Sequence, residues 1–346
     1  MLKRYIEEGG PDKFDLVIVG GGITGAAVAY IAAARGLTVA LFEKKDYGGA
    51  TSAATSKLIH GGLRYLANGE LKLVRESLRE RRILGNIAPN FVYPLPFIMP
   101  MYKRWRGNIW KMLMGMFLYD VLSYDKKDTW DKSKKLQNHR LINHRKTIRV
   151  EPNLRMENLR NAFYFFDYQS IFPERLTLAF IKSASEYGAS VSNYTPVEGF
   201  IFGEGRKVTG VKVRDLFTEK TRDVHADLVI NCGGTWADKI LGLAAGEDNL
   251  THRVKRSEGI HIITKKIAGH HVVSLQKADG GHMMIMPWRE HSLIGTTDKE
   301  FLGDPDEYRV SMESIDEIIE NVNNNFGRKI SREDIIHAYG GLRPLV

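Results

Sequence analysis

Near its start the chain reads Asp15-Leu16-Val17-Ile18-Val19-Gly20-Gly21-Gly22-Ile23-Thr24-Gly25. The apolar run from residue 16 to residue 19 is typical of a strand that is buried on both faces of a sheet. The G-x-G-x-x-G pattern that follows is typical of a turn that binds a dinucleotide. In such a turn Gly20 permits the tight bend, Gly22 lets the backbone approach a pyrophosphate, and Gly25 lets helix and strand pack closely. We therefore predict a strand, a phosphate-binding turn and a helix.

The residues after this turn complete a β-α-β unit. A helix is predicted from residue 23 to residue 35, and its first amide groups, at Ile23 and Thr24, would point at the pyrophosphate. Residues 37–42 form the second predicted strand, which ends at Glu43. The Glu43 carboxylate is expected to bind ribose hydroxyls and to repel a 2′-phosphate, which disfavours NADP. A glycine-rich turn without a ligand is the alternative.

A second glycine-rich stretch begins at residue 48. It reads Gly48-Gly49-Ala50-Thr51-Ser52-Ala53-Ala54-Thr55-Ser56-Lys57-Leu58-Ile59-His60-Gly61-Gly62-Leu63-Arg64-Tyr65. A nicotinamide dehydrogenase has no need of such a stretch, whereas a flavin enzyme must carry its chain from the pyrophosphate to the isoalloxazine ring. Glycine backbone and the hydroxyls of Thr51 and Ser52 suit that path. Because Lys57, His60 and Arg64 then supply a candidate base and anion-binding groups, the two motifs together indicate a flavin enzyme.

In these residues the chain resembles the FAD-dependent glycerol-3-phosphate dehydrogenases, within the wider group of D-amino-acid-oxidase-like flavoenzymes. The resemblance keeps the same order from about Phe14 to the end of the chain. Its most specific part is the string Ser56-Lys57-Leu58-Ile59-His60-Gly61-Gly62-Leu63-Arg64-Tyr65-Leu66. Other matching segments are Asn231-Cys232-Gly233-Gly234-Thr235-Trp236, Gly259-Ile260-His261-Ile262, Pro287-Trp288, Ile294-Gly295-Thr296-Thr297-Asp298 and Gly341-Leu342-Arg343-Pro344-Leu345.

The resemblance implies an α/β fold in which a Rossmann-like FAD-binding domain carries a second, antiparallel-sheet substrate domain, of the glutathione-reductase and D-amino-acid-oxidase type. The expected FAD-binding domain is discontinuous, over residues 14–90, 151–250 and 327–346, and the substrate domain covers 91–150 and 251–326. Family members continue past residue 345 with a Phe-Gly-Gly-Lys segment of the flavin site and a C-terminal helical domain. We therefore expect these 346 residues alone to bind FAD weakly and to turn over poorly.

The resemblance also implies FAD held without a covalent bond, and no metal. The cofactor-binding residues that it carries over are Gly20, Gly22, Ile23, Thr24, Gly25, Glu43, Thr51, Ser52, Ser56, Lys57, Leu58, His60, Gly62, Val197, Gly234 and Trp236. The implied reaction is the oxidation of sn-glycerol 3-phosphate to dihydroxyacetone phosphate, in which a hydride passes from C2 to flavin N5. A quinone would then reoxidise the flavin.

This reaction needs a proton acceptor. His60 is the first candidate, because a histidine exchanges protons near neutrality. A structural histidine that caps the following glycine turn is the alternative. His261, among the candidate substrate-binding residues, is a second candidate base, although a histidine in an apolar strand is more often a core residue.

The reaction also needs cations. Arg343 is permanently charged, so it is expected to polarise the substrate oxygen and to stabilise negative charge on the reduced flavin. Arg64 and Tyr65 suit phosphate binding, because a guanidinium group matches phosphate oxygens bidentately. A surface ion pair is the alternative for Arg64.

The composition bounds the class and the compartment. Hydrophobic residues make up 43% of the 346 residues and charged residues 26%, which is ordinary for a globular protein with a core. Cys232 is the single cysteine, which excludes an intramolecular disulfide and fits a reducing compartment. Residues 1–13 lack the apolar core of a signal peptide, and no stretch approaches the ~20 apolar residues of a transmembrane helix. We expect a cytoplasmic protein that binds peripherally to the inner face of the cell membrane. Whether it forms a homodimer stays open.

The net charge of +9 is concentrated in one part of the chain. Residues 126–149 hold nine Lys or Arg against two Asp, and residues 105–124 mix Trp110, Met114 and Phe117 with further basic residues. Such a mixture suits an interfacial element on anionic lipid. A solvated basic face beside a core helix is the alternative. Nucleic acid is not expected as a partner, because no recognised binding motif accompanies the charge.

Periodicity and turn residues predict further elements. Helices are predicted near residues 70–84, 172–187 and 312–326, strands near 190–191, 208–214 and 227–231, and an antiparallel sheet between 252 and 297. The prolines at positions 89, 94, 96 and 100 predict edge strands and turns.

Two other functions compete with the dehydrogenase. One is an oxidase of the same family, which would pass its electrons to oxygen and release hydrogen peroxide. The other is a non-catalytic fragment that binds a nucleotide or a partner. A yellow purified protein would favour either enzyme over the fragment, and peroxide production would separate the two enzymes.

Overall fold

The computed structural model describes residues 2–103, 109–245, 254–277 and 281–345, apart from the side chain of Arg64. Its helices are α1 Tyr5–Glu8, α2 Ile23–Ala34, α3 Leu63–Ala67, α4 Leu71–Ile87, α5 Ile109–Leu122, α6 His144–Val150, α7 Pro173–Glu186, α8 Ala237–Ala245 and α9 Met312–Asn325. Its strands are β1 Lys13–Val19, β2 Val39–Phe42, β3 Leu58–Ile59, β4 Tyr93–Tyr102, β5 Arg140–Asn143, β6 Leu159–Gln169, β7 Ser190–Ser192, β8 Val197–Phe202, β9 Val208–Arg214, β10 Thr221–Asn231, β11 Lys255–Lys265, β12 Val272–Gln276, β13 His282–Trp288, β14 His291–Gly295, β15 Lys299–Phe301 and β16 Ile335–Leu345. The predicted helices are confirmed to within a few residues at their ends. Among the described helices, none has the length and apolar character needed to cross a membrane.

The predicted β-α-β unit lies at the centre of a six-stranded sheet with the order β7-β2-β1-β10-β9-β8. β1 pairs in parallel with β2 and β10, and β2 pairs in parallel with β7, whereas β9 and β8 continue the sheet in the antiparallel direction. The carboxyl ends of β1, β2 and β10 therefore meet at one edge, which is where a doubly wound sheet binds its ligand. This edge holds the Gly20 turn, Glu43 and the residues after Asn231.

Small side chains let α2 lie close to this sheet. Ala26, Ala29 and Ala33 are buried in one apolar cluster with Leu16, Ile18 and Leu41 of the parallel strands. α7 adds Ile181 and Ala184 to the same cluster. The position of α2, and with it the direction in which its first turn points, is thus set by tight packing on β1 and β2.

The second sheet has ten strands, and its main path runs β15-β11-β14-β13-β12-β4-β6-β3. β16 adds to β11, and β5 adds to β6. In the described part of the chain its strand pairs are antiparallel, apart from a parallel contact between β4 and β12. α9 packs on this sheet through Ile315, Ile318 and Val322. The predicted combination of a Rossmann-like sheet with a second, largely antiparallel sheet is confirmed.

The proline-rich segment departs from the prediction of edge strands and turns. Residues 93–102 form the single long strand β4, which lies between β6 and β12 inside the larger sheet. Pro94, Pro96 and Pro100 occupy alternate positions, so the N–H groups that they lack all belong to the same edge of the strand. The contact with β12 covers only two residue pairs. An interior strand can therefore carry three prolines here.

The division into two domains stays a prediction. Strand pairing places β3, β6 and β16 in the larger sheet, although their residues fall in the ranges that the sequence assigned to the FAD-binding domain. β16 pairs with β11 along almost its whole length. Segments assigned to one domain therefore supply strands to the sheet of the other.

Candidate functional site

The glycine turn after β1 depends on close contact between backbones. A Cβ atom on Gly25 would lie 1.9 Å from the carbonyl oxygen of Gly20, and a Cβ atom on Gly20 would lie 2.6 Å from that of Cys232. Gly20 also has a φ of +112°, which favours glycine. The first turn of α2 can approach the ends of β1 and β10 only because these positions carry no side chain. This is the close helix–strand packing predicted for Gly25.

Two oxygen-bearing side chains contact the amides of this turn. The N–H of Gly21 donates to Glu43 Oε2 over 2.7 Å, and the N–H of Lys45 donates to Glu43 Oε1 over 2.8 Å. The N–H of Ile23, the first residue of α2, donates to Ser52 Oγ over 2.9 Å. The acid of the first motif and a hydroxyl of the second motif therefore lie together at the amino end of α2, where the helix dipole favours negative charge.

Gly22 and Thr24 lie at the same end of α2. Gly22 precedes the helix, and a Cβ atom there would come within 3.2 Å of Ser52 Oγ. Thr24 is exposed in the first turn. A bare glycine backbone, helical N–H groups and a carboxylate at the end of the second strand fit the pyrophosphate and ribose of a dinucleotide. This edge of the sheet is therefore the candidate cofactor site.

The second motif is tied to β16 at the far end of the sequence. Thr51 Oγ1 donates to the carbonyl oxygen of Leu342 over 2.8 Å. The hydroxyl of Tyr339 donates to the carbonyl oxygen of Thr55 over 2.7 Å. These bonds bring the loop that precedes β3 against the end of β16.

Lys57 is a buried lysine in this loop, with a φ of +58°. Its Nζ donates to the carbonyl oxygen of Ala53 over 2.8 Å and lies 5.2 Å from the ring centre of Tyr339. Burial lowers the pKa of Lys57, and the carboxylate of Glu174, 3.9 Å from Nζ, acts in the opposite direction. Leu58 follows as the first residue of β3 and pairs with Gln169.

His261 lies where the loop meets the larger sheet. Its side chain is buried, with only 2% of the residue exposed, and its Nε2 lies 2.9 Å from Ser56 Oγ. Its ring stacks on that of Tyr339 with the centres 5.2 Å apart. Burial, followed by the charges of Arg343 and Lys57, lowers the pKa of His261 to about 3. This histidine is therefore neutral near pH 7, and within the described ranges its Nδ1 has no hydrogen-bond partner.

Arg343 is held by the segment that the resemblance singled out at residues 294–298. One guanidinium nitrogen donates to Thr296 Oγ1 over 2.9 Å and to the carbonyl oxygen of Thr297 over 3.2 Å. The other lies 3.4 Å from Asp298 Oδ1. A Cβ atom on Gly259 would lie 2.1 Å from this group. The guanidinium is thus fixed beside β11 and stays partly exposed.

His60 is exposed, and its Nδ1 accepts a hydrogen bond from the N–H of Gly62 over 3.0 Å. Gly62 has a φ of +70°, so the turn suits glycine. This is the capping contact that the sequence analysis kept as the alternative for His60. An amide N–H can only donate, so Nδ1 carries no proton and a neutral ring carries its proton on Nε2. In this arrangement His60 presents an Nε2–H donor.

The remaining substrate-binding candidates lie on α3. The side chain of Arg64 lies outside the described residues, so its phosphate contact stays a prediction. Tyr65 packs over the glycine turn, since a Cβ atom on Gly62 would lie 2.5 Å from its ring. Tyr65 therefore helps to shape the turn that carries His60.

Val197 and Gly234 lie at the margin of the six-stranded sheet. Val197 begins β8, and the N–H of Thr195 just before it donates to the carbonyl oxygen of Glu43 over 2.8 Å. Gly234 is exposed and has a φ of +54°. Both positions flank the carboxyl edge that holds the glycine turn.

Trp236 belongs to a small charged cluster. Its indole N–H donates to Asp306 Oδ1 over 2.9 Å, and Lys44 Nζ lies 4.1 Å from its ring centre. Lys44 and Lys239 both pair with Asp306, and they hold the pKa of that carboxyl well below its usual range against the effect of burial. Trp236 is thereby fixed next to Lys44, the residue that follows Glu43.

A buried charged cluster that was not predicted from the sequence lies beside the glycine turn of His60. Arg81 of α4 forms an ion pair with Asp167 of β6, and the hydroxyl of Tyr119 in α5 donates to Asp167 over 3.0 Å. The N–H of Gly61 donates to the hydroxyl oxygen of Tyr119 over 2.9 Å. A sequence signal existed, because Asp167 interrupts the apolar run of β6, where a lone carboxylate is rare unless paired. Within the described ranges, His, Cys, Asp and Glu side chains form no cluster that could hold a metal ion.

Comparison with known proteins places these motifs in context. A family model described as FAD dependent oxidoreductase matches residues 15–346. An alpha-glycerophosphate oxidase from Streptococcus pneumoniae is 32% identical over 339 residues, which are 96% of this chain and 54% of that protein. A glycerol-3-phosphate dehydrogenase from Synechocystis is 35% identical over 343 residues, which are 96% of this chain and 61% of that protein. The chain thus spans a little over half the length of these relatives.

Solved structures share the fold. The glycerol-3-phosphate dehydrogenase of Bacillus halodurans, complexed with FAD, matches with a TM-score of 0.77 and 28% identity, over 98% of this chain and 58% of that chain. An L-alpha-glycerophosphate oxidase from Mycoplasma pneumoniae, with FAD bound, matches with a TM-score of 0.73 at 15% identity, over 96% of this chain and 83% of that chain. At that identity the second likeness speaks for the fold alone.

Proposed function

Because this chain belongs to the family of FAD-dependent oxidoreductases, we propose that it oxidises sn-glycerol 3-phosphate to dihydroxyacetone phosphate. The observation that carries the proposal is the junction at which Ser56 of the second motif meets His261, with the guanidinium of Arg343 against Gly259, two residues before His261 on β11. It gathers a neutral imidazole and a permanent cation next to the loop that leads away from the cofactor edge. The names of the relatives above supply the substrate, as glycerol-3-phosphate dehydrogenases and alpha-glycerophosphate oxidases.

The residues at the cofactor edge would hold FAD without a covalent bond. Gly20, Gly22 and the N–H groups of Ile23 and Thr24 would receive the pyrophosphate, and Glu43 would receive the ribose hydroxyls. When bound, FAD supplies the acceptor for the hydride that leaves C2 of the substrate. The loop that contains Thr51 and Ser52 would lead from this edge to the junction.

Cationic side chains would hold the substrate and its developing charge. Arg343 is fixed in place by Thr296 and Thr297 yet remains partly exposed, which suits a preorganised contact to an oxygen anion. Arg64, four residues after His60 on α3, is our candidate for the phosphate group. Lys57 adds a buried cation, whose position is fixed by its hydrogen bond to the carbonyl oxygen of Ala53.

His60 is our candidate for the group that takes the proton from the C2 hydroxyl. In the tautomer that this contact implies, its only lone pair, on Nδ1, is engaged by the N–H of Gly62. Uptake of a proton at Nδ1 would break that bond, whereas Nε2 can accept only after the proton moves between the nitrogens. The base role of His60 is therefore coupled to the geometry of its glycine turn. His261 is the second candidate, because its neutral ring keeps one nitrogen without a partner in the described part of the chain.

We propose a quinone as the electron acceptor, with oxygen as the alternative, since the relatives include both dehydrogenases and oxidases. The surface around α5 favours the quinone, because quinones dissolve in membranes. Trp110, Met114, Phe117 and Val121 form an exposed stripe along α5, with Trp110 exposed to 72% and Phe117 to 64%. A contiguous aromatic and apolar stripe on a helix is typical of a binding surface.

Exposed basic residues on α5 and in the segment that follows it would meet anionic lipid headgroups. Lys111, Lys132 and Lys135 are exposed. Lys134 is not part of this surface, because its residue is only 5% exposed and its Nζ donates to the carbonyl oxygen of Val92. Lys126 is likewise buried against Asp120. We propose that the α5 stripe and the exposed lysines place the protein peripherally on the cytoplasmic face of the cell membrane.

Anaerobic mixing with sn-glycerol 3-phosphate tests the proposal. The released cofactor is first identified by mass spectrometry as FAD. The purified protein should then lose the absorbance of its oxidised flavin, with glycerol as the control that lacks the phosphate. Reoxidation by a quinone analogue without hydrogen peroxide would support the dehydrogenase, and peroxide formed in air would favour the oxidase. The protein is first reconstituted with FAD, and a flavin that then stays oxidised with sn-glycerol 3-phosphate would contradict the proposed reaction.

A further inference from the structure

Three elements converge on the backbone of Gly61, the residue after His60. Its N–H donates to the hydroxyl oxygen of Tyr119 over 2.9 Å and points to Asp167 Oδ1 at 3.3 Å. Tyr119 donates to Asp167 in turn, and Asp167 is paired with Arg81. The hydrogen bonds thus run from the peptide that follows His60 to an ion pair in the interior.

This ion pair is hidden from water. Arg81 is 1% exposed and Asp167 2% exposed. Burial, followed by the charge of Asp167, raises the pKa of the Tyr119 phenol well above its usual value, so the hydroxyl keeps its proton. It can therefore donate to Asp167 while its oxygen accepts from Gly61. A buried ion pair of this kind is weak evidence for stability, because hydrophobic residues often replace one without loss. A gain in stability therefore does not explain why this ion pair lies next to Gly61.

The space around Gly61 leaves no room for a side chain. A Cβ atom at this position would lie 2.2 Å from Leu78 Cδ2 and 2.4 Å from the Tyr119 hydroxyl. The next residue, Gly62, then directs its N–H at His60 Nδ1. The peptide bound by Tyr119 and Asp167 is thus adjacent to the peptide that decides which nitrogen of His60 carries the proton.

We propose that Tyr119, Asp167 and Arg81 are positioning residues that set the ring orientation and tautomer of His60 through Gly61 and Gly62. The inference rests on the proposed function, in which His60 is the proton acceptor. Asp167 holds Tyr119, and Tyr119 holds the N–H of Gly61, while Arg81 neutralises the buried carboxylate. None of the three has to touch the substrate.

The first test removes one hydroxyl. In Tyr119→Phe the ring remains, but Gly61 loses its acceptor. Tyr168→Phe is the matched control, because Tyr168 is also a buried tyrosine whose hydroxyl hydrogen-bonds, but to the carbonyl oxygen of Lys134. The readout is the pair of imidazole ¹⁵N chemical shifts of His60 in ¹⁵N-histidine-labelled protein, assigned by comparison with His60→Gln.

Wild type and Tyr168→Phe should show the Nε2–H tautomer of His60, and Tyr119→Phe should show a mixture of tautomers. Asp167→Asn is the second variant. Since this change leaves Arg81 unpaired, its His60 shifts are interpreted only if its thermal unfolding stays cooperative. His60 shifts that are unchanged in Tyr119→Phe would overturn the inference. This readout does not depend on turnover.

A kinetic cycle then links the cluster to His60. Tyr119→Phe should retain its FAD content and slow flavin reduction by about 10- to 100-fold, the scale expected for a misplaced catalytic group. In a His60→Gln background the same substitution should have no further effect, whereas a merely structural loss would remain additive. Additive effects would overturn the inference. If the wild-type flavin is not reduced at all while the His60 shifts respond as expected, the proposed function fails and the positioning role stands.

Discussion

The N–H of Gly62 donates to Nδ1 of His60 over 3.0 Å, which places the proton of the neutral ring on Nε2. His60 therefore makes the capping contact that was the alternative interpretation, and its role as a base stays a prediction. Whether it also moves the substrate proton is a question that substitutions can decide.

Replacing His60 by glutamine should lower the rate of flavin reduction in a single turnover by about 10²- to 10⁴-fold, the usual share of a general base. The FAD content should hardly change, because the groups that would hold the pyrophosphate and ribose, at Gly20, Gly22 and Glu43, remain intact. His225→Gln is the control, since His225 is an exposed histidine on β10. A normal reduction rate in His60→Gln would transfer the base role to His261.

Replacing Glu43 by lysine should abolish FAD binding, because a cation would stand where ribose hydroxyls are expected and the acceptor for the N–H of Gly21 would be lost. The ratio of flavin absorbance to protein absorbance measures the loss. Glu186→Lys makes the same charge change on an exposed residue at the end of α7 and should leave the ratio unaltered. Stoichiometric FAD in Glu43→Lys would show that Glu43 is not a ribose ligand.

Stability should fall in acid because of His261. Its folded pKa of about 3 lies below the value of about 6.5 for an unfolded histidine. Between these values the unfolded chain binds a proton that the folded protein does not, so the free energy of unfolding decreases as the pH falls, by up to about 1.4 kcal/mol per pH unit. Urea unfolding at several pH values between 6.5 and 4 should show a shallower dependence in His261→Gln. Equal slopes in both proteins would mean that His261 is not buried in its neutral form.

Replacing Arg64 by alanine should raise the Michaelis constant for glycerol 3-phosphate far more than that for glycerol. The loss of a charge-assisted contact costs about 1.5–3 kcal/mol, which corresponds to roughly 10- to 150-fold. Steady-state kinetics with both substrates measures the difference. Equal changes for the two substrates would remove Arg64 from the phosphate site.

Binding to anionic vesicles should depend on the α5 surface. Lys132→Gln with Lys135→Gln should release the protein at lower salt, since each lysine near such a membrane contributes about 1 kcal/mol. Phe117→Ser should weaken binding at all salt concentrations, because the apolar contribution is not screened. Leu302→Ser, at a highly exposed residue away from α5, is the control for co-sedimentation. If both α5-surface variants co-sediment like the wild type, this surface is a solvated face and does not bind lipid.

The elements that could be predicted from the sequence are those governed by local sterics and periodicity. The β-α-β unit and its glycine turn follow from contacts between residues that are close in sequence, such as Gly20 and Gly25. The interior position of β4 could not be predicted, because it depends on partners 57 to 76 residues away in β6 and 175 residues away in β12. The pairing of Arg81 with Asp167, 86 residues apart, is also invisible to local patterns.

The basic segment at residues 126–149 is a second case in which the sequence alone is not enough. A count of charges treats all its lysines alike, but Lys134 packs against the ring of Tyr93 and is buried, whereas its neighbours Lys132 and Lys135 are exposed. Only the tertiary packing decides which charges face solvent.

The bonds from Thr51 to Leu342 and from Tyr339 to Thr55 span 291 and 284 residues. During synthesis the glycine turn can form as soon as its own β-α-β unit has left the ribosome, but the loop that carries the second motif must wait for β16. At 5–20 residues per second this wait lasts roughly 15–60 s. Over that interval the nascent chain can have its glycine turn without the completed loop of the second motif. A variant that loses the hydrogen bond from Thr51 to Leu342 should therefore be cleaved by proteases and bound by chaperones mainly during synthesis, and much less once it has folded.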